Sequence, residues 1–197
     1  PGCPVVALLP GSRRQELERL LPVMLETVAR TWAQRPQLQC VVSVAPGLSE
    51  EDLLRVSRRV SGLPPVRLVG GGIWRALAPA DFAVVTSGTA TLQAALWQVP
   101  MVVVYRVAAA TYQLARRLVR LPYISLPNIV AGRPVVQEFL QAQAEPRRLA
   151  SVVLEYLDDP QRRAELAAAL AEVGRRLGEP GASRRAASVV VEVAATS

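Results

Sequence analysis

Short apolar runs alternate with longer amphipathic segments along most of this chain, and that alternation restricts its fold more than any other feature. Runs typical of buried β-strands are residues 4–9, 38–45, 66–69, 82–85 and 101–105. Apolar residues follow helical spacing in residues 15–33, 49–60, 87–97 and 111–119. Strands that alternate with helices predict an α/β fold, a Rossmann-like parallel sheet flanked by helices. Closing helices, near residues 147–157, 161–177 and 183–194, are expected to pack outside that sheet.

The residue types that are missing exclude several kinds of catalytic site. The 197 residues include no histidine, and all 23 basic residues are arginines. Serine–histidine catalysis, a histidine metal site, a Schiff-base lysine and a P-loop lysine therefore cannot be built from this chain. Its two cysteines, Cys3 and Cys40, are too few for a zinc site, and we expect both to be buried thiols. The apolar runs are also far shorter than the roughly 20 residues that a membrane-spanning helix needs.

The excess positive charge has a definite location. The formal net charge is +7, and residues 101–137 contain no acid and five arginines, namely Arg106, Arg116, Arg117, Arg120 and Arg133. A basic domain can bind nucleic acid, anionic lipid or a phosphorylated substrate. Arg116, Arg117 and Arg120 fall on a basic amphipathic segment, residues 111–124, which predicts a membrane or partner surface. The alternative is a helix with one face in the core and its arginines in water.

The loop after the first strand has the composition of an anion site. Ligands of a doubly wound sheet bind beyond the carboxyl ends of its strands. Gly11 and Ser12 precede the first long helix there, and free amides at a helix start favour an anion. Arg13 adds a forked set of charged donors. The alternative is a plain turn that caps the helix.

A second loop of the same design follows the strand at residues 82–85. Ser87, Gly88 and Thr89 are small residues that expose backbone amides at a helix N terminus, which is a cradle for phosphate oxygens. Gln93 lies one turn into that helix, near enough to reach a ribose. The alternative is an ordinary serine or threonine cap. These loops together predict a site for a nucleotide or another phosphorylated ligand.

Two further loops have unusual residues. Three consecutive glycines, residues 70–72, serve either ligand access or a tight turn. Asn128 is the only asparagine of the chain, and its amide can donate to and accept from a nucleobase or a hydroxyl. Its alternative role is to cap its own loop. Arg133 is a second candidate for binding phosphate, and Glu138 is a candidate helix cap.

These loops also carry a resemblance to a known family. Residues 7–13, Ala-Leu-Leu-Pro-Gly-Ser-Arg, together with Glu16, are similar to the motif that opens the C-terminal half of the lipid-A-disaccharide synthases. Residues 87–92 and 100–106 resemble that family's second signature. Residues 114–119, the Ser-Leu-Pro-Asn at 125–128 and the Ala-Gly-Arg at 131–133 resemble its third. The motifs occur in the family's order over about residues 5–160.

The resemblance implies one half of a two-domain GT-B glycosyltransferase. Residues 1–197 would be the C-terminal nucleotide-sugar-binding domain, a fragment that lacks the N-terminal acceptor domain and its general base. The family is an inverting hexosyltransferase that transfers 2,3-diacylglucosamine from UDP-2,3-diacylglucosamine to 2,3-diacylglucosamine 1-phosphate in lipid A biosynthesis, releasing UDP. This half would bind the donor and not catalyse alone. No metal or cofactor is implied, because helix dipoles and arginines can balance the charge of the leaving group.

The resemblance also implies partners, a location and site residues. The partners would be the UDP-sugar donor, the lipid acceptor, the anionic inner face of the bacterial cytoplasmic membrane and a second copy in a homodimer. Arg13, the loop 87–89 and Asn128 would contact UDP. Gln93 stands where the family usually has a glutamate, so the charge-assisted bond to ribose would be lost.

Two other functions fit the same residues. One is half of another GT-B UDP-sugar transferase or epimerase. The other is a non-catalytic basic module that binds an anion or a membrane. Aromatic residues make up only 5% of the chain and form no stacking platform, so we expect no nucleic-acid partner.

Overall fold

A computed structural model, which describes residues 2–108, 112–113, 122–179 and 181–195, has one parallel β-sheet. The strands are β1 Val5–Leu9, β2 Gln39–Ser43, β3 Val66–Val69, β4 Phe82–Thr86, β5 Met101–Tyr105 and β6 Gln137–Leu140. Their order in the sheet is β3-β2-β1-β4-β5-β6, and every pair is parallel. This is the doubly wound Rossmann order, so the carboxyl ends of all six strands meet at one edge.

Helices cover the sheet in two groups, apart from the last helix, which has no buried residue. They are α1 Arg14–Gln34, α2 Glu50–Ser57, α3 Trp74–Leu77, α4 Thr89–Leu96, α5 Leu126–Ala131, α6 Pro146–Asp158, α7 Pro160–Arg176 and α8 Ala182–Ala195, with a 3₁₀ turn at Gln141–Gln143. Helix α1 contacts α2 and α6, whereas α4 contacts α5 and α7. The connections after β1 and β4 run in opposite directions along the sheet, and because crossovers between parallel strands are right-handed, the two groups lie on opposite faces.

The hydrophobic core lies in the middle of the sheet. Every residue of β4 is buried, and Phe82 at its start stacks on Tyr156 of α6 with 4.9 Å between ring centroids. Such unbroken apolar strands are typical of a parallel sheet that is covered on both faces. Cys40 is buried in this core, and burial raises the pKa of its thiol to about 12, so it stays protonated. Cys3 is exposed, which corrects the expectation that both thiols are buried.

The α/β fold expected from the sequence is confirmed, with two differences in detail. Strand β6 and the short helices α3 and α5 were not predicted. Helix α8 does not pack on the sheet as expected, because none of its residues is buried. The helix expected over residues 111–119 lies mostly outside the described residues. In the part of the chain that the structure describes, no helix has the length and hydropathy to cross a membrane.

Candidate functional site

An open cleft of about 810 Å³ lies at the carboxyl edge of the sheet. It extends from the ends of β1 and β2 and the loop after β3 to the end of β4 and one side of α4. Strands β1 and β4 are neighbours in the sheet, and their connections leave in opposite directions. That is the topological switch point, where open α/β sheets bind their ligands.

Most of the site residues expected from the sequence meet in this cleft. The two predicted anion loops and the following helix contribute Gly11, Ser12, Arg13, Ser87, Gly88, Thr89 and Gln93 to its lining. The register pairs Leu9 with Val85, so the two loops leave adjacent strands at the same level. Asn128 and Arg133 are not among the lining residues.

The N terminus of α4 opens into the cleft. Gly88 is its N-cap and has no side chain to cap the first turn, which contains no acidic residue. The backbone of Gly88 has φ +149° and ψ −164°, a conformation that is essentially restricted to glycine. Among the described residues, no side chain accepts a hydrogen bond from the amides of Thr89 or Ala90. These amides and the helix dipole therefore favour an anion in the cleft.

The N terminus of α1 is already occupied by a carboxylate from the same helix. Glu16 Oε2 accepts the N–H of Ser12 at 3.0 Å and that of Arg13 at 3.3 Å, and Oε1 accepts the Arg13 guanidinium at 2.9 Å. A Cβ at Gly11 would overlap this carboxylate, so glycine permits the close approach. The expectation of free amides in this loop is therefore wrong. The Arg13 side chain is 80% exposed and can still reach a ligand in the cleft.

Ser87 and Thr86 differ in how their hydroxyls are used. The Ser87 hydroxyl donates to the carbonyl of Ile124 at 2.8 Å, and its N–H donates to the carbonyl of Val104 at 3.1 Å. Ser87 thus fixes the start of the loop to the neighbouring segment. The Thr86 side chain is buried and lines the cleft, but its hydroxyl has no hydrogen-bond partner among the described residues. A buried hydroxyl normally has a partner, so this one marks a polar position on the cleft floor.

Asn128 is bonded within its own loop. Its Nδ2 donates to the carbonyl of Val136 at 2.9 Å and to Glu138 Oε1 at 2.8 Å, and its Oδ1 accepts the N–H groups of Val135 and Val136 at 2.7 and 2.8 Å. These four bonds use the full capacity of the amide. The side chain is 1% exposed and lies outside the cleft. The expected contact with UDP is therefore replaced by the alternative, an asparagine that orders its own loop.

The other charged candidates are Arg133 and the arginines of the basic segment. Arg133 is exposed just after α5 and does not line the cleft. Arg116, Arg117 and Arg120 lie outside the described residues. Within the described ranges, no group of three or more histidine, cysteine, aspartate or glutamate side chains could hold a metal ion.

Two tryptophans in the cleft were missed from the sequence, whereas Glu16 is part of the family motif. Trp74 at the start of α3 and Trp97 just after α4 both line the cleft, and each is 48% exposed. The three glycines before Trp74 leave ligand access and a tight turn equally open, and neither alternative extends to Trp74. The N-cap of α1 is Arg13 rather than a serine or threonine, so the capping-box pattern that would mark Glu16 as a cap is incomplete in the sequence.

Comparison with known proteins identifies the family. A family model described as lipid-A-disaccharide synthetase matches residues 2–193. The chain belongs to the lipid-A-disaccharide synthetase family. It is 46% identical over 191 residues to the lipid-A-disaccharide synthase of Myxococcus xanthus, covering 96% of this chain and 49% of that protein. With the synthase of Geobacter sulfurreducens it shares 39% identity over 193 residues, covering 98% of this chain and 50% of that protein. The chain thus spans about half the length of these family members.

Solved structures with the same fold include sugar-nucleotide enzymes. A UDP-GlcNAc 2-epimerase from Neisseria meningitidis, bound to UDP-GlcNAc, has a TM-score of 0.63 and 12% identity, covering 96% of this chain and 45% of that one. The calicheamicin glycosyltransferase CalG4 has a TM-score of 0.60 and 17% identity, covering 99% and 44%. At these identities the likeness shows the fold alone, and it agrees with the Rossmann-like half of a GT-B enzyme expected for the family.

Proposed function

We propose that this chain is the UDP-sugar-binding half of a lipid-A-disaccharide synthase. The complete enzyme would transfer 2,3-diacylglucosamine from its UDP donor to 2,3-diacylglucosamine 1-phosphate and release UDP. Membership of the family supports the reaction, and the cleft supports the role of this half. The observation that carries the proposal is the uncapped N terminus of α4, which opens beside Arg13 at the switch point of the sheet.

The donor diphosphate would lie at the N terminus of α4. The N–H groups of Thr89 and Ala90 and the positive end of the helix dipole face this position. Arg13 reaches it from the loop after β1. The Arg13 side chain would exchange its ion pair with Glu16 for the phosphates. Charge builds up on UDP as the sugar leaves, and fixed amides and a guanidinium stabilise it without reorganising.

The nucleoside would occupy the other side of the cleft. Gln93 lies one turn into α4 and is exposed, so its amide can bind the ribose hydroxyls with neutral hydrogen bonds. The ring of Trp74 is about half exposed, with the Arg75 guanidinium 5.4 Å from its centroid, and its exposed surface can stack on a base. The Thr86 hydroxyl on the cleft floor, which has no partner among the residues that the structure describes, is available to a polar atom of the donor.

We also propose where the acceptor, the general base and the membrane contact lie. The general base would come from the half of the family's length that this chain does not span, so this half would bind the donor without turning it over. The lipid acceptor would be presented at the anionic inner face of the cytoplasmic membrane. The arginine-rich segment, with Arg116, Arg117 and Arg120, would lie against that membrane or against a second copy of the chain.

Replacing Arg13 tests where the phosphates bind. We expect Arg13→Ala to weaken UDP binding by about 1–3 kcal/mol, as the loss of a hydrogen bond to a charged group does. Arg14→Ala is the matched control, because the Arg14 side chain is 71% exposed but does not line the cleft. Calorimetric titration of UDP into each variant gives the two affinities. Equal affinities for the two variants would contradict a phosphate site at Arg13.

A further inference from the structure

We propose that Glu138 is a positioning residue for the N terminus of α4. Its carboxylate holds the segment to which Ser87 is bonded, and so it sets the geometry of the amides that face the cleft. The inference rests on the proposed function, since it concerns how well the same site binds UDP. Glu138 lies outside the lining of the cleft, so any effect on the donor passes through other residues.

The Glu138 carboxylate is the centre of a hydrogen-bond network. Its Oε1 accepts the Ser125 N–H at 2.9 Å, the Ser125 hydroxyl at 2.6 Å and Asn128 Nδ2 at 2.8 Å. Its Oε2 accepts the N–H of Ile124 at 3.0 Å. Bonds to an ionised acceptor are shorter and stronger than neutral ones. Glu138 therefore fixes residues 124–128, including the N-cap of α5, against strand β6.

One residue connects this network to the cleft. Ile124 donates its N–H to Glu138 and accepts the Ser87 hydroxyl at its carbonyl, at 2.8 Å. Ser87 directly precedes Gly88, the N-cap of α4. Two successive hydrogen bonds thus join the carboxylate of Glu138 to the residue that begins the phosphate cradle.

The cradle depends on this connection because Gly88 supplies no side chain of its own. The other described anchor of the loop is the Ser87 N–H, which donates to the carbonyl of Val104 in β5. If Ile124 shifts, the Ser87 hydroxyl loses its acceptor and the loop can rotate about that one bond. The amides of α4 would then no longer converge on one point. Donors that must first reorganise stabilise a bound anion less than donors that are already in place.

Glu138→Gln tests the positioning role. A glutamine oxygen can keep the bonds from Ser125 and Asn128, but its amide NH2 then faces the N–H of Ile124, so the bond that leads to Ser87 is lost. We expect the Kd for UDP to rise about five- to tenfold, in the range of couplings within one hydrogen-bond network. Calorimetric titration at a temperature well below the unfolding midpoint of each variant gives the affinity of folded protein.

Asp81→Asn is the matched control for a structural effect. Asp81 Oδ2 accepts the N–H of Val5 at 2.8 Å, so it also binds a backbone amide through a carboxylate, but at the amino ends of the strands. This variant is expected to lower the unfolding midpoint and leave the Kd unchanged. An affinity loss of equal size in both variants would overturn the proposal, as would an unchanged Kd in Glu138→Gln.

Ser125→Ala keeps the test decisive if Glu138→Gln does not fold. It removes only the Ser125 hydroxyl bond to Glu138, and this buried side chain does not line the cleft. A rise in Kd of about two- to threefold supports positioning through the network, and no change contradicts it. If the parent chain does not bind UDP, the proposed function itself fails. If the parent binds UDP and the variants bind it equally well, only the positioning role of Glu138 fails.

Discussion

Asn128→Ala is expected to destabilise the folded chain by about 2–4 kcal/mol, because it leaves buried amides without partners. The N–H groups of Val135 and Val136 both donate to Asn128 Oδ1, and alanine offers no acceptor in its place. Glu138 would also lose one of its four donors. Urea unfolding, with the free energy extrapolated to water, measures the loss.

The same variant separates two roles for Asn128. Family resemblance implies a direct contact with UDP, whereas the structure gives a buried side chain whose bonds are all used within its own loop. Gln37→Ala is the control, because Gln37 is an exposed amide outside the cleft and its loss is expected to cost less than about 0.5 kcal/mol. Unchanged stability with abolished UDP binding would restore the direct contact and contradict the loop-ordering role.

Gly88→Ala is expected to reduce UDP affinity more than about tenfold, and to cost about 1–3 kcal/mol of stability if the backbone keeps its conformation. An L-residue rarely adopts φ +149° with ψ −164°, so the loop either bears strain or rotates away. A Cβ at this position has nothing within 4 Å, so steric overlap is not the cause. Rotation would turn the Thr89 and Ala90 amides out of the cleft.

Gly178→Ala is the matched control for this prediction. Gly178 also has positive φ, +79°, and open space around a Cβ, but it follows α7 and does not line the cleft. It should lose stability without losing UDP affinity. Thermal unfolding and UDP titration of both variants distinguish the two effects. Full UDP affinity in Gly88→Ala would show that the α4 amides do not bind the phosphates.

The sequence predicts the central strands well because they are buried on both faces. Strands β1, β4 and β5 are nearly continuous apolar runs, which stand out from the polar loops around them. Strand β6 is Gln-Glu-Phe-Leu at the edge of the sheet, where no described strand pairs with one of its long sides and polar residues are tolerated. Its pattern does not differ from that of a loop, so only the fold reveals it.

Helix α5 was missed for a related reason. Leu-Pro-Asn at its start suggests a loop, although proline is well placed in the first turn of a helix. The partners of Asn128 come seven to ten residues later and are brought to it by β6. The local sequence therefore singles out Asn128 but does not show whether its amide faces a ligand or its own chain.

The loops of the cleft were predictable because each combines a strand end with the start of a helix. That local pattern gave Gly11, Arg13 and Gly88 without knowledge of the sheet order. The pattern could not show which helix start is free. The Glu16 carboxylate accepts the Ser12 and Arg13 amides at the N terminus of α1. That contact depends on side-chain geometry and not on residue type alone.

Calorimetric titration of UDP into the chain, with ADP as the control ligand, tests the central claim most directly. We expect selective binding of UDP with a Kd of about 0.1–1 mM, which corresponds to about 4–5.5 kcal/mol. Selectivity tests the nucleoside side of the cleft, and binding itself tests the phosphate cradle. If the folded chain binds neither nucleotide, or binds both equally, the claim that this cleft holds a UDP-sugar donor is contradicted.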